Sequence, residues 1–283
     1  MNRILILGAS GFIGAALYKE LSGYFDLHGT YSTPTPELQE NQVMHRYHVQ
    51  TDSLDDLLSR LKPTIVISSL RGDFKMQLKA HEELIAYSKE NPCLIYLLST
   101  ASVFDGNMGY VAYEDDMPIA QSKYGKFKVA LEKSFLNLPK DSYAIIRLPM
   151  VVGVNAPRIV QLKQAHKHRA AFEVYPNVII SAISANRVSR QLHYIINQRL
   201  TGIFHLASED IMHHSDFFNE VSQKLGLENV NYAHNYTSNQ DQYLAILPKI
   251  NKLPKQFRFT LSDLINEITL KEEIVTLKEN LLP

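Results

Sequence analysis

Tyr124 and Lys128 stand four positions apart in the stretch S-K-Y-G-K-F-K, Ser122–Lys128. On a helix such positions share one face, one turn apart, so a phenol and an ammonium can meet in one cleft. The same stretch also reads as the basic, solvated face of a surface helix. A hydroxyl further up the chain bears on the choice. Thr100 lies in S-T-A-S-V-F-D-G, where an apolar run ends.

The elements that would position these groups follow from the hydrophobic pattern. Ile4–Leu7, Leu27–Tyr31, Val43–Val49, Thr64–Ser69, Leu94–Ser99 and Tyr143–Leu148 read as strands. Ile13–Leu21, Leu54–Leu61, Met76–Glu90 and Tyr124–Leu136 read as helices between them. Alternation of this kind predicts an α/β fold, a Rossmann-type doubly wound parallel sheet with helices on both faces. Uninterrupted apolar strands such as L-I-Y-L-L suit burial on both sides. After residue 150 the rhythm loosens. V-I-I-S, a helix over Val188–Gln198, the strand G-I-F-H-L-A and a helix over Phe217–Leu225 stopped by Gly226 remain legible. The expected organisation is a dinucleotide-binding domain over 1–153, to which the chain returns around 181–207, and a smaller, mainly substrate-binding lobe over 154–283. In a doubly wound sheet ligands sit at the carboxyl ends of the strands. Thr100, Tyr124 and Lys128 are therefore expected to converge there.

Gly8–Gly14 reads G-A-S-G-F-I-G, directly after the first strand and at the start of the first helix. In that context the first glycine permits a tight turn, the second lets backbone approach a diphosphate, and the third lets helix and strand pack closely. The helix N-terminus then offers free N–H groups and a positive dipole end. Gly8, Ser10, Gly11, Phe12, Ile13 and Gly14 are the expected cofactor contacts. An Asp or Glu at the end of the second strand would hold the ribose of NAD. This chain has Thr30-Tyr31-Ser32-Thr33 there. Tyr31 and Ser32 are the candidates, and the absence of a carboxylate leans the cofactor from NAD toward NADP. His45 or Arg46 is a possible source of charge for a ribose phosphate.

Composition bounds the remaining possibilities. The 283 residues are 45% hydrophobic, enough for a large core, and Lys+Arg equals Asp+Glu at 29 each. A neutral chain gives no electrostatic reason to expect nucleic acid or an anionic membrane. One cysteine, Cys93, excludes an internal disulfide and fits a reducing compartment; its setting in N-P-C-L-I-Y-L-L is that of a core residue. Glycines 8, 11 and 14 break the apolar N-terminal region, which argues against a leader peptide, and no apolar run approaches a membrane span. The expected location is cytoplasmic. The pairs His166/His168 and His213/His214 have no zinc-type ligand pattern around them, and no metal is expected.

The G-x-x-G-x-x-G loop, the S-T-x-x-V-F-D-G run and the later Y-G-x-x-K resemble the extended short-chain dehydrogenase/reductases. Within that superfamily the chain is most similar to the dTDP-4-dehydrorhamnose reductases and their sugar-nucleotide-binding relatives. E-D-D at Glu114–Asp116, Glu132 four residues after Lys128, R-L-P-M-V-V-G and G-I-F-H-L-A add to the likeness. The resemblance implies an NAD(P)-dependent oxidoreductase acting on a keto group of a nucleotide-linked sugar. Tyr124 would be the proton donor or acceptor, with Lys128 lowering its pKa and holding the nicotinamide ribose, and Thr100 would bond the substrate oxygen. Leu70 and Pro149 join the expected cofactor contacts; Arg71, Val103, Phe104 and Arg158 are substrate candidates. Arg71 in S-S-L-R-G-D is unusual for the family, and an ion pair with Asp73 is the structural alternative. A homodimer is the family's usual assembly.

The chain departs from the reductases where Ala101 and Ser102 follow Thr100 in place of Asp and Tyr. Ala101 cannot exchange a proton, which argues against dehydration. It matches sugar 4-epimerases, so that activity stays open. So does a non-catalytic, dinucleotide-binding regulatory subunit.

Overall fold

A computed structural model describes residues 2–154 and 156–269; residues 270–283 of the expected C-terminal lobe, and Asn155, lie outside the described residues. Seven strands form one sheet in the order β11-β6-β5-β4-β1-β2-β3, and every adjacent pair is parallel. They are β1 (Arg3–Leu7), β2 (Asp26–Tyr31), β3 (Met44–Arg46), β4 (Ile65–Ser68), β5 (Leu94–Thr100), β6 (Tyr143–Leu148) and β11 (Gly202–His205). Side chains alternate between two cores. Ile4 and Ile6 face the layer of α1 (Phe12–Leu21) and α7 (Ala185–Asn197); Leu5 and Leu7 face α3 (Leu54–Leu61), α4 (Phe74–Glu90) and α5 (Lys123–Leu136). This is the predicted doubly wound α/β fold. The order reverses between β1 and β4, so a crevice opens at their carboxyl ends.

The third strand is shorter than Val43–Val49. Tyr47 N–H still bonds the Tyr31 carbonyl, but the chain then turns at His48, whose N–H is taken by the Asp52 carboxylate at 2.7 Å. Short pieces build the rest. β7 (Met150–Val152) pairs with β10 (Ala182–Ser184), and β8 (Phe172–Val174) with β13 (Tyr232–His234). β9 (Val178–Ile180) lies between β12 (Met212–His213) and β14 (Gln242–Leu244). α6 (Pro157–Lys167) and α8 (His214–Lys224) cover them, and Gly226 takes the left-handed φ of +67° just past α8.

One buried ion pair joins the elements around the sheet's end. Arg147 on β6 meets Glu132 on α5 at 2.8 Å, with the two side chains 1% and 2% exposed. Ser99 on β5 donates to the same carboxylate at 2.5 Å. The guanidinium also lies over the Phe104 ring and bonds the Glu114 carbonyl. His205 on β11 completes the cluster at 3.4 Å from the guanidinium, its other ring nitrogen on the Leu247 carbonyl.

Two outcomes are expected in urea denaturation. Glu132→Gln strands a buried guanidinium and lowers the unfolding free energy by about 3–5 kcal/mol, whereas Glu132→Leu with Arg147→Met recovers most of that loss. Gly14→Ala lowers it by about 1–3 kcal/mol, because its Cβ would sit 2.0 Å from the Gly8 carbonyl oxygen.

Candidate functional site

The glycine loop is shaped by contacts that leave no room for side chains. Gly8 turns the chain at φ +83°, and a Cβ there would lie 2.8 Å from the Ser69 carbonyl oxygen. The Gly8 N–H is held by Thr30 Oγ1 at 2.8 Å, so one hydroxyl at the end of β2 serves the loop itself. Helix α1 starts at Phe12, and Gly11 carries no capping side chain, which leaves its first N–H groups facing the crevice end of the sheet.

The opposite wall is made by β5 and α5. β5 ends at Thr100, and Ala101–Phe104 wind into a short 3-10 turn. Gly125 lets α5 press on that turn: a Cβ there would lie 2.3 Å from the Ser102 carbonyl oxygen. Asp105 fixes the start of α5 by accepting from the Gln121 and Ser122 N–H groups at 2.6 and 3.2 Å and from the Ser122 hydroxyl. Ser122 in turn caps the helix through the Gly125 N–H. The Asp of S-T-x-x-V-F-D-G is thus a positioning residue, one the sequence reading did not single out.

Thr100, Tyr124 and Lys128 open on one cavity of about 330 Å³, together with Gly11, Phe12, Ile13, Gly14, Leu70, Arg71, Pro149 and Arg158. A second cavity of about 350 Å³ continues past the loop and takes in Gly8, Ser10, Tyr31 and Ser32. Each proposed cofactor contact therefore lies on one or other of two adjoining cavities, the arms of the candidate site, which share Gly11, Ser69, Leu70 and Arg71 in their walls. His45 and Arg46 line neither arm; His45 is packed against His28, ring nitrogens 3.0 Å apart.

Two substrate candidates lie elsewhere. Val103 is fully buried and Phe104 nearly so, in a small cluster with Ala112, Ala207 and Ile246. The 3-10 turn points both away from the cavity and sets Phe104 beneath Arg147. Arg158 does reach the cavity, from the first turn of α6. Its guanidinium rests over Phe172 at 4.2 Å and donates to the Gln161 side chain and the Glu173 carbonyl. Lys163, Lys167 and Arg169 do not line the cavity. The acidic run is structural as well: Glu114 is buried and accepts from the Lys249 and Ile250 N–H groups.

The electrostatics differ from the expected arrangement in one respect. Burial raises the Tyr124 phenol; a hydrogen bond with Thr100 and the positive charge of Arg71 oppose the rise. Lys128 is not the cation acting there. Its Nζ is buried and donates to the Leu98 carbonyl at 3.0 Å. Burial brings that ammonium down to about 8, against the upward pull of Glu132. The alternative Arg71–Asp73 ion pair does not form: Asp73 caps α4 through the Met76 N–H at 3.0 Å. Cys93 is buried and its thiol is pushed up to about 12, far from a reactive thiolate. Among the described residues no helix is long and apolar enough to cross a membrane, and no group of three His, Cys, Asp or Glu gathers as metal ligands.

Known proteins resemble this arrangement to different depths. The dTDP-4-dehydrorhamnose reductase of Yersinia enterocolitica superposes with a TM-score of 0.74 at 18% identity, over 95% of this chain and 99% of that one. The Bacillus anthracis dTDP-4-dehydrorhamnose reductase, solved in complex with NADP, gives 0.74 at 16% identity over 96% and 99%. At those identities the likeness is one of fold. By sequence, methionine adenosyltransferase 2 subunit beta of Mus musculus is 27% identical over 162 residues, 54% of this chain and 48% of that protein. The chain thus spans about half the length of that curated relative. The model of the RmlD substrate binding domain matches residues 1–253, and on that match the chain belongs to the RmlD family.

Proposed function

We propose that this protein is an NAD(P)-dependent oxidoreductase acting on a keto group of a nucleotide-linked sugar. The observation that carries the reading is that Thr100, Tyr124 and Lys128 share one cavity with the glycine loop. The loop's geometry supports a dinucleotide: Gly8 and Gly14 let the turn, β4 and α1 pack too closely for a Cβ, which brings the uncapped start of α1 to the cavity that Gly11, Phe12, Ile13 and Gly14 line. Gly8, Ser10, Gly11, Phe12, Ile13 and Gly14 would hold the diphosphate, Tyr31 and Ser32 the adenosine ribose, and Lys128 the nicotinamide ribose, with Leu70 and Pro149 flanking. Hydroxyls without a carboxylate at Thr30–Thr33 lean the preference toward NADP.

When bound, the dinucleotide supplies or accepts the hydride. The chain's own residues handle the proton. Tyr124 donates to the substrate oxygen as the carbonyl becomes an alcohol, and Thr100 bonds the same oxygen and orients it. A phenol raised by burial is held protonated at neutral pH, which suits a donor in the reducing direction. Arg158, half held by Gln161 and Glu173, is the cation on the substrate side for a phosphate oxygen. Ala101, beside Thr100, leaves no second acid for dehydration.

A second reading has specific support. The curated relatives are beta subunits of methionine adenosyltransferase 2, so a dinucleotide-binding subunit of a larger enzyme is the alternative. Tight dinucleotide binding with no turnover of any keto-sugar nucleotide would select it.

Tyr124→Phe should reduce the rate of keto-sugar nucleotide reduction by at least about a hundredfold, followed by loss of reduced-nicotinamide absorbance. Its dinucleotide affinity, measured by fluorescence titration, should stay within about twofold. Lys128 loses its charge as pH rises through about 8, so dinucleotide affinity should fall above that pH. Lys128→Met should bind more weakly below it and lack the fall; an identical pH profile in the variant refutes the assignment.

A further inference from the structure

The two adjoining cavities share a boundary made by the glycine loop on one hand and the segment after β4 on the other. Gly11, Ser69, Leu70 and Arg71 line both arms, and Arg71 is the one charged residue among the four. The segment after β4 is pinned against the loop, Ser69 Oγ donating to the Leu7 carbonyl at 2.8 Å. Arg71 is exposed and makes no hydrogen bond or ion pair among the described residues. No carboxylate lines the 330 Å³ arm. The one carboxylate of the other arm, Asp73, is engaged at the start of α4. An exposed arginine on a turn is most often simply solvated. This one stands where the two halves of a bound dinucleotide must join.

We propose that Arg71 closes the junction as a phosphate clamp, its guanidinium taking an oxygen of the dinucleotide diphosphate from the side opposite the glycine loop. The inference rests on the oxidoreductase reading's dinucleotide, though not on turnover. Backbone N–H groups of the loop and a planar, permanently charged fork from the β4 side would grip the same diphosphate between them. A phosphate of the substrate is the other source of the same chemistry. The dinucleotide is favoured because Arg71 lines both arms, whereas a substrate beside Tyr124 occupies one. The influence of Arg71 on the Tyr124 phenol agrees with a guanidinium leaning over the junction.

The test is titration of the full chain with NADP⁺, with NAD⁺ and, separately, with dTDP-glucose, for wild type, Arg71→Gln and Arg71→Lys. Arg71 is exposed, so both variants should fold, and circular dichroism checks this. One lost charge-assisted bond should weaken dinucleotide binding by about tenfold in Arg71→Gln. Arg71→Lys should fall between, dTDP-glucose affinity should stay unchanged, and added salt should weaken wild type more than Arg71→Gln. Wild-type dinucleotide affinity in Arg71→Gln overturns the clamp while leaving the oxidoreductase reading intact. Weakening confined to dTDP-glucose overturns it in favour of a substrate phosphate. Failure of wild type to bind any dinucleotide removes both the clamp and the reading beneath it.

Discussion

The geometry of the site depends on a guanidinium and a carboxylate that never meet water. Arg147 and Glu132 are buried to within a few per cent, and each costs several kcal/mol to desolvate, a penalty repaid only by good mutual geometry and further hydrogen bonds. The fold supplies both. Ser99 takes part in the bond to Glu132, and the Glu114 carbonyl, His205 and the Phe104 face occupy the guanidinium. Three members adjoin residues that the site uses. Ser99 precedes Thr100. Glu132 is one turn beyond Lys128 and holds up that ammonium's pKa. Leu148, after Arg147, lines the cavity. An apolar cluster could fill the same space but would tolerate a sliding helix. A bidentate charge pair does not, and it sets the register of α5 against β5 and β6.

Above that pair, the site is made by backbones approaching more closely than side chains allow. Gly14 brings α1 onto the turn after β1, and Gly125 brings α5 onto the turn after β5. The two contacts close opposite sides of one cavity. The first exposes N–H groups, and the second sets the Tyr124 phenol beside Thr100. Neither glycine sits at positive φ, so both are required by the space around them and not by their own conformation.

Most of this was legible in the sequence where one local rule governs. The sheet strands are buried on both faces and read as unbroken apolar runs, and the glycine loop declares itself by following the first of them. Reading failed where tertiary contact decides. Val49 continues an apolar alternation, yet the strand has already ended because Asp52 captures the His48 N–H. β7 to β10 are three residues each, too short for any period to emerge. Val103 and Phe104 follow Thr100 as if to line a substrate site, and nothing local distinguishes that from a 3-10 turn folded over Arg147. Asp105 escaped notice for the converse reason, since its partners at Gln121 and Ser122 are contiguous with it only in space. The direction of Lys128 Nζ, toward Leu98 and not the phenol, depends on how deeply α5 is set.

The cavity's charge separates what the two functional readings share from what divides them. Arg71, Lys128 and Arg158 line it and no carboxylate does, so it attracts anionic ligands whether or not chemistry follows. A dinucleotide and a sugar nucleotide both meet that demand, and a binding subunit would need no more. Tyr124 is different. Its phenol lines the cavity with Thr100, and a binding subunit has no use for a proton donor there. Asp105 and Ser122 fix the start of the helix that carries it, and Gly125 lets that helix close on the turn after β5. Those three residues place the start of α5, and Tyr124 with it, so the two readings part at the Tyr124 hydroxyl: proton transfer uses it and binding alone does not.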